Sequence, residues 1–115
     1  MKKQIKILMR QVIRVLEDGL SDSDAYSQDD IDCCEDELNS FLEQLRNLPS
    51  KEQRDYVLEV VELTLQTLEE LNTSCDEGLI HSELGDDLCE FMVAAVLKTG
   101  LVANIDHIIE NRRKW

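Results

Sequence analysis

Apolar side chains return along this chain at intervals of three and four residues, the period that places them on one face of a helix. The first such stretch covers residues 2–18, with Ile5, Leu8, Met9, Val12, Ile13 and Leu16 in one stripe. Residues 4–8 also alternate as a strand would, but Met9 breaks that pattern and the helix is favoured. Gly19 stands where a C-terminal cap falls. Residues from about 20 to 30 are polar and acidic and predict a loop. A second helix follows over residues 29–47, with Ile31, Cys34, Leu38, Phe41, Leu42 and Leu45 inward, and Pro49 closes it. Ser50 and Gln53 have the spacing of a capping box and open a third helix over residues 51–72. Its stripe is Val57, Val60, Val61, Thr64, Leu68 and Leu71.

Residues 73–82 predict a second loop, and residues 83–98 a fourth helix that is the most apolar of the set. Leu84, Leu88, Phe91, Met92, Ala95 and Val96 form one side of it, and Cys89, Val93 and Leu97 widen that side. A helix apolar over so much of its circumference belongs at the centre of a core. Thr99 and Gly100 end it, and Ile105, Ile108 and Ile109 mark a short fifth helix over residues 104–113. The expected fold is all-α: one domain spanning residues 1–115, an antiparallel bundle of four main helices plus a short C-terminal helix.

Composition narrows the setting. The longest unbroken apolar run, residues 91–97, has seven members, against roughly 20 for a membrane helix. Lys6, Arg10 and Arg14 interrupt what a secretory signal would keep apolar. A soluble cytoplasmic protein with reduced thiols is the expectation. Cys33 and Cys34 are adjacent, a geometry that strains a disulfide between them, while a bridge such as Cys34 to Cys89 stays open. No Cys-x-x-Cys occurs and the two histidines stand apart from the cysteines, so a zinc cage has no support.

Charge adds more. The chain carries 12 Lys and Arg against 25 Asp and Glu, a net charge of −13. Residues 17–45 hold eleven acids and neither Lys nor Arg, so they supply nearly all of that excess. Basic residues gather at the ends: Lys2, Lys3, Lys6, Arg10 and Arg14, then Arg112, Arg113 and Lys114. Packed against the second helix, the basic first helix would offset part of the acidic surface. Nucleic-acid binding, which needs a basic footprint, is disfavoured. So is an anionic membrane surface, despite the basic face of the first helix. Asp22 and Asp24 begin like an EF-hand loop, but Ser27 stands at its sixth position and Cys33 at its twelfth, which excludes that motif.

One carboxylate set points to different chemistry. Glu59 and Glu62 share a face of the third helix, and Glu83 and Asp86 share a face at the start of the fourth. Side by side, the four would hold Mg²⁺. This pattern resembles the all-α nucleoside triphosphate pyrophosphohydrolases of the MazG type. The string from Glu83 to Leu88 and the ending from Glu110 to Trp115 are similar to that family's vocabulary. The resemblance covers about the last half of the chain and implies a metal-activated water acting on nucleotide phosphates. The family doubles its first glutamate, and here Leu58 precedes Glu59. Glu59 and Glu62 also lie opposite the valine stripe of their own helix, where solvent is expected.

No nucleophilic triad, nucleophile elbow or phosphate-binding glycine loop is present. The favoured expectation is a non-enzymatic, cofactor-free protein-binding module of the immunity or antitoxin kind, which neutralises a basic protein such as a nuclease toxin. Its contact residues are expected to be Asp22, Asp24, Tyr26, Asp29, Asp30, Asp32, Glu35, Asp36 and Glu37, with Tyr26 as a hot spot. The Mg²⁺-dependent hydrolase built on Glu59, Glu62, Glu83 and Asp86 is the alternative.

Overall fold

Each predicted stripe becomes the buried side of a helix. A computed structural model of the chain describes residues 2–20, 26–47, 53–100, 102 and 104–112, and among them five helices and no strand. These are α1 (Lys2–Leu20), α2 (Gln28–Arg46), α3 (Gln53–Ser74), α4 (Ser82–Leu97) and α5 (Ile105–Arg112). Leu8, Val12 and Leu16 of α1 meet Ile31, Cys34, Leu38, Phe41 and Leu45 of α2 in one core. Val57, Val60, Val61, Leu65 and Leu68 of α3 join it, with Leu84, Leu88, Phe91, Met92, Ala95 and Val96 of α4 and Ile105 and Ile109 of α5.

The helix pairings are those of an all-α bundle. α1 lies against α4 and α2, α2 against α3 and α4, and α5 against α4 and α3. Three of these pairs run antiparallel: α1 with α2, α2 with α3, and α1 with α4, where Ile5 and Leu8 near the start of α1 lie beside Val93 and Leu97 near the end of α4. Tyr26, just before α2, reaches back to Leu16 near the end of α1. Asp30 in the first turn of α2 lies beside Cys75, just past α3. Gln11 midway along α1 donates to Asp87 in the first half of α4. Across the centre, the rings of Phe41 and Phe91 sit 6.3 Å apart at a tilt of 52°, a favourable aromatic geometry. As the sequence leads one to expect, α4 touches three other helices, but Leu97 at its end remains 48% exposed.

The largest departures from expectation lie at helix ends. Gly19 does not terminate α1, which continues to Leu20. Its missing side chain serves another contact: a β-carbon there would fall 2.5 Å from the Tyr26 hydroxyl. The proposed cap of α3 at Ser50 lies outside the described residues, while α2 has a reach-back of its own. The Asp30 carboxylate accepts the Ser27 N–H at 2.9 Å, with the Ser27 hydroxyl 3.3 Å from the same oxygen.

α3 extends beyond Asn72 to Ser74 and stops in a Schellman turn. The Glu77 N–H donates to the Asn72 carbonyl at 2.8 Å and the Asp76 N–H to that of Thr73 at 3.0 Å. Asp76 and Glu77 take left-handed φ values of 54° and 61°. The buried Asn72 side chain then accepts N–H groups from Leu79 at 3.2 Å and Ile80 at 2.8 Å, which aims the chain into α4. All four cysteines are free thiols; Cys33 is exposed, and Cys34, Cys75 and Cys89 are buried.

Candidate functional site

Rotation of about 100° per residue along α2 sorts its acids into three groups. Asp29, Asp32 and Asp36 follow one another at steps of three and four and stand exposed on the side opposite the core. Glu43 continues this row, leaning toward Arg46 at 3.4 Å and accepting from Asn47 at 3.1 Å. Asp32 accepts a hydrogen bond from Gln28 at 3.1 Å. Asp29 and Asp36 have neither a cationic nor a hydrogen-bonding partner among the described residues. Cys33 opens to solvent within the same row.

The flanking acids differ. Glu35 and Glu37 are half-buried on opposite edges of α2, and burial pushes the Glu37 carboxyl above its ordinary range. Asp30 turns toward the bundle, where it holds the start of α2 and raises the already buried Cys75 thiol. Burial also pushes the Cys34 thiol up to about 12, with the negative charge of Glu37 adding to the rise. Of the nine expected contact residues, Asp22 and Asp24 lie outside the described residues. Tyr26 is half-buried, and its hydroxyl donates to the Leu16 carbonyl at 2.7 Å. The bundle thus gives both Tyr26 and Asp30 structural duties, and it leaves Asp29, Asp32 and Asp36 as the exposed row.

Lys6, Arg10 and Arg14 of α1 form no ion pair with that row. All three are exposed, and among the described residues none reaches an α2 carboxylate within ion-pair distance. α1 does pack beside α2, so the expected adjacency holds.

The second carboxylate set is dispersed. Glu59 stands exposed on α3, and Glu62 pairs with Arg112 of α5. Glu83 and Asp86 are exposed at the start of α4. α3 takes α2 and α5 as its main neighbours, whereas α4 takes α1, α2 and α5. Among the described residues no three His, Cys, Asp or Glu side chains gather closely enough to hold a metal ion. Asp87, one position beyond this set, is the α4 acid drawn into the bundle. Burial, then the charges of Glu83 and Asp86, push its carboxyl up, and Gln11 donates to it at 3.3 Å. His81 is the N-cap of α4, its Nδ1 accepting the Leu84 N–H at 3.4 Å.

No family model, curated protein or solved structure matches the chain. The resemblance to the MazG-type hydrolases therefore rests on the short strings alone. Among the described residues no helix is long and apolar enough to cross a membrane.

Proposed function

We propose that this chain is a protein-binding module that engages a basic protein through the exposed face of α2. Its physical character suits a bacterial, cytoplasmic immunity or antitoxin protein that covers the basic cleft of a toxin, a nuclease being the class with such a cleft. In this reading the chain works without catalysis, cofactor or nucleic acid. One observation carries it: Asp29, Asp32 and Asp36 stand in a row within a segment of eleven acids and no bases, and no cation of the chain pairs with them among the described residues. Keeping like charges together costs stability. A complementary partner offsets that cost, and the same field speeds the encounter. The half-buried flanks at Glu35 and Glu37 would form the edge of the contact.

The test is capture from the source lysate at low and high salt, followed by binding kinetics with whatever basic protein is retained. Asp29→Lys, Asp32→Lys and Asp36→Lys together avoid Asp30, whose replacement would loosen the start of α2. The triple variant should bind at least about tenfold more slowly than the parent at low salt, with the gap closing as salt rises. Equal association rates would show that the acidic row steers nothing.

A further inference from the structure

The outer side of α4 changes character halfway along. Glu83, Asp86 and Glu90 are exposed as far as its middle, whereas beyond it Val93 and Ala94 are half-buried and Leu97 is 48% exposed. Lys98 follows at the C-cap. Ile5 and Leu8 of α1 lie alongside, and the two helices enclose an apolar groove of about 420 Å³ with Glu90 and Lys98 among its lining residues. Leu97 is the large apolar side chain of this lining that stands open to solvent.

We propose that this groove is covered by the same groove of a second copy, the two α4 helices meeting antiparallel about Ala94. The charge pattern favours this occupant. A two-fold axis at position 94 matches each residue with the one equally far on the other side of that position in the second copy. Glu90 and Lys98 each lie four residues from Ala94, or about 6 Å along the helix at 1.5 Å per residue. Glu90 of one copy therefore stands level with Lys98 of the other, at both ends of the contact. Between them fall Val93 and Leu97, and the small side chain of Ala94 lets the two backbones approach closely. A groove carrying one acid and one base at equal distances from its centre is complementary to itself. The proposal uses none of the acids assigned to the basic partner, so the two readings stand or fall separately.

The contact is small by the standard of stable dimers, so the mass should depend on protein concentration. Sedimentation equilibrium on the full chain should give a weight-average mass that climbs from 13.3 kDa toward twice that value. Leu97→Glu, at an exposed site, should keep the mass at one chain while circular dichroism stays unchanged. Glu90→Lys moves the net charge from −13 to −11, which by bulk repulsion alone would tighten a dimer. By the pairing argued here it should weaken the dimer about tenfold, as should Lys98→Glu. The double variant Glu90→Lys/Lys98→Glu keeps the net charge of the parent and should restore its dissociation constant. A one-chain mass at every concentration overturns the proposal. So does a dimer that survives Leu97→Glu, or a double variant no tighter than the weaker single one.

Discussion

The Tyr26 hydroxyl donates to the Leu16 carbonyl at 2.7 Å, directly over Gly19. This contact ties the start of α2 to the last turns of α1 across residues 21–25. Tyr26→Phe should cost about 1 kcal/mol, the ordinary net worth of one such hydrogen bond. Gly19→Ala, which in an exposed helix normally gains up to about 1 kcal/mol, should instead destabilise, because the new methyl would meet the hydroxyl at 2.5 Å. The ring carbon behind that hydroxyl would lie 3.8 Å away, an ordinary contact. In a Tyr26→Phe background Gly19→Ala should therefore become stabilising. A double-mutant cycle of urea midpoints reads this change of sign, and additive effects would refute the latch.

Asn72 accepts two backbone N–H groups with one buried side chain, and Glu77 sits beyond it in a left-handed conformation. Asn72→Leu should cost roughly 2–4 kcal/mol, since it strands the N–H groups of Leu79 and Ile80. Glu77→Gly should act the other way. Relief of a left-handed residue that bears a β-carbon exceeds the added freedom of glycine in the unfolded chain, for a net gain of about 0.5–1 kcal/mol. Chemical denaturation of both variants checks the pair of signs.

These two turns also show what the sequence could and could not reveal. Stripes such as Ile31, Cys34, Leu38, Phe41, Leu42 and Leu45 are legible because their period is local; five of the six are buried and Leu42 is half-buried against them. The meaning of Gly19 depends on Tyr26, seven positions later, so a glycine that looked like a cap became a seat for a hydroxyl. Asn72 carried no pattern at all, because its partners are backbone groups that converge only when the turn has formed. The acidity of residues 17–45 was plain from counting, but its direction was not. One step along a helix turns a side chain by about 100°, which sets Asp29 in solvent and Asp30 against the bundle. Likewise, Glu62 shares its helix face with Glu59, yet it is Arg112 of α5 that pairs with it.

The thiols give a direct check on the packing. Cys33 is exposed, while its neighbour Cys34 is fully buried with its thiol pushed up to about 12. Thiolate is the reactive form, and burial denies it to Cys34 and Cys75 alike. Brief treatment of the native protein with iodoacetamide should label Cys33 alone, and unfolding should expose all four thiols. Peptide mass spectrometry reads the positions. Rapid native labelling of Cys34 would mean that α2 is rotated from the position described.

Acidification from neutral pH should strengthen the fold before it weakens it. Burial raises the carboxyls of Glu37 and Asp87, and for Asp87 the charges of Glu83 and Asp86 raise it further. A carboxyl raised in the folded state binds its proton there more readily than in the unfolded chain. Its ionised form therefore costs stability above the folded pKa. That cost disappears as pH falls through the window between the raised values and the ordinary carboxyl range near 4. Relief of general repulsion in a chain of net charge −13 acts in the same direction. The urea midpoint should thus be higher at about pH 5 than at neutral pH. Glu37→Gln with Asp87→Asn should raise the neutral midpoint and shrink the gain on acidification, because the two half-buried charges are then absent at every pH. A midpoint that falls steadily from neutral to pH 5, or a double variant with the parent's pH profile, would show that neither carboxylate is held at a cost.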